Sequence, residues 1–403
     1  MKNASTRIFI VGMTILMLAG CALRSKPAEL SASVVGTTRE NQAAGQETAG
    51  FQRALGPKPL VFPQDFGPHP NYQTEWWYYT GNLDDQDGHH FGYQLTFFRR
   101  ALLPEDKIPQ RASDWATSQV YMAHFALTDV SGQRYQAVER LSRGAVGLAG
   151  AQGNPYQVWL QDWQVTATGP ENYQITARAS SQDGLPFAID LAMIDIKRPI
   201  LQGDQGFSQK GPEPGQASYY ISQTRLETSG SVRVGEKVYK VIGYSWMDHE
   251  YSTSALSENQ IGWDWFAIQF EPVQSGAPDQ MNELMVFQIR RDDGSVDPYS
   301  SGTLIDPQGK AISLQKDQFQ IEILETWQSP HSGATYPAGW IVRVPEANLE
   351  LTITPYLADQ ELNVSYAYWE GAVKINGNFA GLPVTGSGYV ELTGYSGSMG
   401  GEF

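Results

Sequence analysis

From about residue 60 onward the sequence repeats one pattern: short runs rich in aromatic and β-branched side chains, each closed by a cluster of Asp, Gly, Pro or Gln. Trp76-Trp77-Tyr78-Tyr79-Thr80-Gly81 leads into Asp84-Asp85-Gln86-Asp87-Gly88, and Phe91 to Phe98 follows, which predicts a hairpin. Tyr121 to Thr128, Val158-Trp159-Leu160, Gln174 to Ala177, Tyr219 to Ser222 and Val238 to Tyr244 continue the series. The second half repeats it with Trp263 to Phe270, Glu283 to Arg290, Phe319 to Trp327, Gly339 to Val344 and Leu349 to Pro355. Asp292-Asp293-Gly294 and Asp306-Pro307-Gln308-Gly309 are turn signals between these runs. Helical periodicity is scarce beyond the N-terminus. Strands at this spacing close into barrels or sandwiches, so the expected class is all-β.

A chain of 403 residues is long for one domain and suits two of ordinary size. Its formal charge of −15 repels polyphosphate, and no basic patch carries interleaved aromatics, so nucleic acid is excluded as a partner. The charge reads as plain solubility.

The N-terminus reads as a processed leader. Lys2 and Arg7 form a basic start, and Ile8 to Leu18 is an apolar stretch of signal-peptide length. Leu18-Ala19-Gly20-Cys21 resembles a lipobox, in which Cys21 is lipidated and becomes the mature N-terminus. Cys21 is the single cysteine of the chain, so it has no internal disulfide partner. Residues 1–20 are then a signal peptide. Residues 21–58, rich in Ala, Ser, Thr, Gly, Glu and Gln, read as a flexible tether to a membrane, with order beginning near Leu60. Ala22 after the cysteine implies, in a host with an outer membrane, sorting to that membrane on its periplasmic side.

Several segments together are similar to a known family. They are His69-Pro70-Asn71-Tyr72-Gln73-Thr74-Glu75-Trp76-Trp77-Tyr78, Tyr219-Tyr220-Ile221-Ser222-Gln223-Thr224-Arg225, Trp246-Met247-Asp248-His249-Glu250 and Gly262-Trp263-Asp264-Trp265-Phe266. Tyr368-Trp369-Glu370-Gly371-Ala372 and Gly388-Tyr389-Val390-Glu391-Leu392 complete the set. The chain resembles the carotenoid 1,2-hydratase (hydroxyneurosporene synthase) and AttH-like family from about Val61 to Tyr395. The resemblance implies two tandem lipocalin-like β-barrels, placed here at 59–252 and 253–403. It also implies hydratase-like or cyclase-like activity in some members, and a link to ABC-type exporters in others. The hydratase pattern is a His-x-Trp pair followed by Tyr-x-Asp. Here those positions read Tyr219-Tyr220-Ile221 and Trp246-Met247-Asp248: the acid is kept, an aromatic stands before it, and the His and Trp are absent.

The residues themselves single out Asp248. In an extended segment Trp246, Asp248 and Glu250 share one face. Two carboxylates beside an indole, pointing into a barrel, lose water and gain proton affinity. Such an acid next to an aromatic face suits alkene hydration: it protonates one carbon, the ring stabilises the cation, and water closes the reaction. The structural alternative is a pair of carboxylates bracing the junction between barrels. Trp246, Glu250 and Tyr219 are taken with Asp248 as the catalytic set.

Glu75, Trp77, Tyr79, His124, Trp263 and Trp265 are the candidate ligand-binding residues. Glu75 is read either as a substrate anchor inside the first barrel or as a carboxylate paired with a Tyr or with an Arg such as Arg225. His124 is read as a base or as a satisfied interior histidine. No His or Cys cluster has zinc-ligand spacing, no Gly-x-Ser-x-Gly elbow marks a serine hydrolase, and no cofactor is called for. Gln202 to Gln216 reads as a long loop covering a barrel mouth or as a surface insertion. The expected function is handling of a small hydrophobic molecule, by a hydratase or isomerase with Asp248 as acid, by a non-catalytic carrier serving an export system, or by an accessory lipoprotein.

Overall fold

The computed structural model describes residues 48–254, 256–257, 259–271 and 281–399. The leader and Cys21 lie outside the described residues. Among these residues no helix is long and apolar enough to cross a membrane.

The repeating runs become antiparallel strands of two sheets, one of thirteen strands and one of ten. In the first, Thr74–Asp85 lies between His90–Ala101 and Lys237–Ser252, so the first long strand pairs with the last. The second sheet repeats this closure, with Gln260–Glu271 beside Leu382–Leu392. The first curls into a nearly closed barrel and the second into a half-barrel, an all-β lipocalin-like pair. The hairpin between the first two strands forms with Trp77 opposite Phe97. Gly88 takes a φ of +81° in its turn, a conformation that favours glycine, while Asp85 Oδ1 accepts the backbone N–H groups of Asp87 and His89.

Alternation divides the side chains of each strand between two environments. In Thr74–Asp85, Trp77, Tyr79 and Leu83 enter the interior of the first barrel, which Leu95, Phe97, Phe125, Trp163 and Leu191 fill. Trp76 and Tyr78 point the other way, into a layer between the sheets. The second half does the same: Phe266, Ile268, Trp340 and Val390 pack inside, whereas Trp265, Ala267, Ala372 and Tyr389 face the first sheet. The two sheets thus pack back to back through their outer faces. Gly92 abuts Ala372 across this layer, and a Cβ at Gly92 would lie 2.4 Å from the Ala372 methyl.

A buried ion cluster ties the sheets together. Glu283 of the second receives Arg225 Nε of the first at 2.5 Å and Lys197 Nζ at 2.6 Å. Arg225 also donates to the carbonyls of Phe270 and Asn282, and Lys197 to those of Met281 and Asp306.

Two expectations about order change. The tether does not run to residue 58: Phe51 and Ala54 are buried, and Lys58 Nζ sits 4.4 Å from the centre of the Tyr219 ring, near Tyr72 and Tyr251 as well. Its small and polar composition hid these anchors. The segment 202–216 carries one short strand, Phe207–Gln209, paired with Ala217–Val234, and borders the interlayer, where Lys210 lines the cavity, instead of a barrel mouth.

Candidate functional site

The cavity with the most aromatic lining, about 130 Å³, lies in the layer between the sheets. Trp76, Tyr78, Phe98 and Tyr220 come to it from the first sheet, and Trp263, Trp265, Phe287 and Tyr368 from the second. Three carboxylates reach its wall: Asp248, Glu250 and Glu391.

Asp248 and Glu250 get there by strand parity. In Lys237–Ser252, Met247 and His249 turn into the first barrel, while Trp246, Asp248 and Glu250 turn outward. The expectation that the acids point into a barrel is corrected, because alternation fixes which residues share a face but not which face is inside.

Asp248 is buried and receives three donors. Ser222 Oγ donates to Oδ1 at 2.5 Å, Trp246 Nε1 to Oδ1 at 2.7 Å, and Tyr220 Oη to Oδ2. Behind them, Trp265 Nε1 donates to Tyr220 Oη at 2.9 Å and Gln202 Nε2 to Ser222 Oγ at 2.9 Å. Loss of water on burial raises the Asp248 pKa to about 7, with the Glu250 charge adding to the shift, even though the three donors favour the ionised form. The carboxyl therefore changes protonation near neutral pH. Three of its lone pairs are engaged, and Oδ2 keeps room for a proton.

Trp246 serves this arrangement as a donor, its indole N–H fixed on Asp248, and is not among the residues that line the cavity. Glu250 accepts from Ser218 Oγ and lies 3.4 Å from Lys210 Nζ, whose ammonium also stands 4.0 Å from the Phe287 ring centre. Tyr219 is not part of the set: its hydroxyl donates to the Gly56 carbonyl and its ring joins the tyrosines under Lys58. The adjacent Tyr220 is the partner of Asp248.

Trp263 and Trp265 line the cavity. Glu75, Trp77 and Tyr79 do not, which corrects their ligand-binding assignment. Trp77 Nε1 donates to the Phe66 carbonyl, and the Tyr79 hydroxyl bonds that of Tyr156 inside a filled barrel. Glu75 is held by Arg99 at 2.7 Å, His69 at 2.8 Å and His249 at 2.8 Å. Its partner is Arg99, since Arg225 is engaged with Glu283. The Arg99 guanidinium and the two histidines outweigh burial and hold the Glu75 pKa well below the usual carboxylate range. Ligand-type atoms of His69, Glu75 and His249 lie within 4.8 Å of one another. Arg99 is bound to the same carboxylate, so a cation added there would meet the guanidinium, while His249 Nδ1 on the far side of its ring is buried without a hydrogen-bond partner. His124 lies on the cavity side of its strand but is satisfied by Tyr368 Oη at 2.7 Å and Glu139 at 3.1 Å.

Sequence reasoning missed Tyr220, Ser222, Gln202, Lys210, Glu370 and Glu391. Glu370 and Glu391 carried a signal, each being a lone acid between apolar neighbours in a strand-like run. They are opposite one another on adjacent strands. Burial, then the neighbouring Glu391, pushes the Glu370 pKa well up, and burial brings Glu391 to about 7.

The AttH-like family model matches residues 53–395. A structure from Nitrosomonas europaea described as an AttH is 34% identical with a TM-score of 0.73, covering 86% of this chain and all of that one. Kievitone hydratase from Nectria haematococca shares the fold at 14% identity and a TM-score of 0.60, over 86% of this chain and 98% of its own. The search of curated proteins found no match. The length of the family match, with the agreement of fold along it, makes this chain a member of the AttH-like family.

Proposed function

We propose that the protein takes a small hydrophobic alkene, of isoprenoid type, into the cavity between its sheets and adds water to it or shifts its double bond, with Asp248 as the proton donor. The observation that carries this reading is a buried carboxyl with a pKa of about 7 on the wall of an aromatic cavity. An alkene carbon accepts a proton only from an acid held close and dry, and the cation that results is stabilised by ring faces. Trp76, Tyr78, Trp263 and Trp265 supply such faces. Tyr220, Ser222 and Trp246 fix the direction of the carboxyl and stabilise the carboxylate once the proton has left. That a relative in fold is named a hydratase is in keeping with this chemistry, at an identity that speaks only for the fold.

The test is to incubate the purified protein with geraniol and with squalene in oxygen-labelled water and to look for label in an alcohol product. Labelled alcohol is expected, with a rate that falls as the pH rises through about 7, where the acid form of Asp248 is lost. Binding of both compounds without product at any pH would turn the reading to a carrier, which the same aromatic cavity also suits.

The anchor is a second proposal. Lipid on Cys21 would tether the protein to a membrane and place the cavity at its surface, where hydrophobic substrate is concentrated and an ABC-type exporter could serve as partner. Cys21→Ala is expected to move the protein from the membrane pellet to the soluble fraction. A mutant whose leader is cleaved and that still pellets after a high-salt wash would reject the anchor.

A further inference from the structure

The second sheet carries a buried pair of carboxyls, one of which, Glu391, lines the cavity. Glu370 in Ala367–Phe379 and Glu391 in Leu382–Leu392 are direct cross-strand partners on the face toward the first sheet. Like charges in this position repel at close range, and burial removes the water that would screen them. Neither forms an ion pair among the described residues. Tyr78 Oη donates to Glu370 Oε2 at 2.9 Å and Trp263 Nε1 donates to Glu391 Oε1. Glu370 Oε1 is buried and has no hydrogen-bond partner. The other titratable groups facing the pair are Tyr135, Tyr368 and Tyr389, whose pKa values are raised, and Glu250 across the cavity. The cation on the cavity wall among the described residues, Lys210, pairs with Glu250 and not with either of these glutamates, so burial and mutual repulsion favour a proton on the pair.

We infer that Glu391 and Glu370 form a proton-sharing pair that is the second proton-handling site of this cavity, with Glu391 as the base that receives the proton lost by the attacking water. This rests on the reading of Asp248 as the acid. The pair stands on the second sheet and Asp248 on the first, so proton donor and acceptor meet the substrate from different walls. The step balances. The Asp248 O–H bond breaks as a C–H bond forms and the π bond opens. Water then forms the C–O bond and releases a proton to Glu391, so the singly protonated pair becomes doubly protonated. Exchange with solvent returns that proton to Asp248, and the sum is alkene plus water to alcohol. Glu391 touches the cavity and is the catalytic member. Glu370 acts through it as a positioning residue, holding the shared proton on the side away from the substrate.

Infrared spectra of the full chain test the pair without any substrate. Wild type and Asp248→Asn should show a protonated carboxyl band that persists to about pH 8, above the range of an exposed acid. Introduced into Asp248→Asn, which removes the Asp248 band, Glu391→Gln and Glu370→Gln should each remove or shift it, because the band belongs to both. A band untouched by either change overturns the pair. Turnover of geraniol in labelled water then tests the role. Glu391→Gln should lower kcat by about a hundredfold, the scale of one general base. Glu370→Gln should shift the pH profile of kcat and lower kcat less, while KM holds. If Asp248→Asn is inactive and Glu391→Gln turns over normally, the base role is overturned and the acid stands. If Glu391→Gln is inactive and Asp248→Asn is normal, the acid reading alone fails. Absence of turnover by wild type rejects hydration and the base role together, whatever the spectra show.

Discussion

Asp248→Asn should lower the rate on an alkene substrate about a hundredfold or more, while binding and folding stay close to wild type. The geometry makes this a separable test. An amide at position 248 still accepts from Trp246 and Ser222 through Oδ1, and its NH2 can donate to the Tyr220 hydroxyl, so the hydrogen-bonded frame has a way to persist. What is lost is the proton that can be transferred. The stability of the variant carries its own sign. Burial lifts the folded pKa of Asp248 to about 7, above the unfolded value, so in wild type the folded state holds a proton that the unfolded state has released. That group's contribution falls as pH rises from about 4 to about 7. Asp248→Asn removes this slope, and its melting temperature should match or exceed that of wild type at about pH 8. A rate unchanged in Asp248→Asn would reject the acid. A sharp drop in melting temperature with full specific activity would make Asp248 a brace between the sheets.

Glu283→Gln should cost about 3–5 kcal/mol of stability, read from denaturant unfolding, the usual effect of leaving buried charge without its partner. Both Arg225 and Lys197 depend on this one carboxylate for charge, and they are only 1% and 5% exposed. A glutamine can accept one hydrogen bond in its place and neutralises neither cation. The backbone carbonyls that Arg225 and Lys197 also reach would keep the side chains in position without offsetting the lost charge. A triple variant with Met at 197 and 225 and Leu at 283 should recover most of the loss, because an apolar set of similar volume needs no counter-charge. A loss below about 1 kcal/mol in Glu283→Gln would mean that the cluster behaves like a solvated surface pair. Because Glu283 belongs to one sheet and Arg225 to the other, weaker ligand binding should accompany the loss, as the two walls of the cavity loosen.

The strands could be read from the sequence because a sheet imposes a period of two and because Asp-Gly clusters mark its turns. The same period grouped Trp246, Asp248 and Glu250. It could not decide which face of a strand enters a barrel, since both faces of Trp76-Trp77-Tyr78-Tyr79 are aromatic. That ambiguity sent Trp77 and Tyr79 to the ligand and left out Trp76 and Tyr78. Choosing Tyr219 over Tyr220 is the same error by one residue, and it needs register to resolve: Tyr220 lies opposite Glu250 and Ser222 opposite Asp248. Glu75 read correctly as a buried acid in need of a cation, but Arg99 became its neighbour only through strand pairing. The Glu370–Glu391 pair depends on two strands separated by a turn, and Lys210 depends on how a loop folds back. Neither follows from local pattern.

The contact of Gly92 with Ala372 bears on how such a site can be retuned. Neither residue lines the cavity, and each belongs to a shell whose interior is already packed. A side chain added at Gly92 would act as a shim at one end of the interlayer and tilt one shell against the other. The gap that admits a guest could then widen with every lining residue and every proton-bearing group kept. Selectivity for the length or bulk of a hydrophobic chain is in this respect a property of spacing, adjustable at a distance from the chemistry.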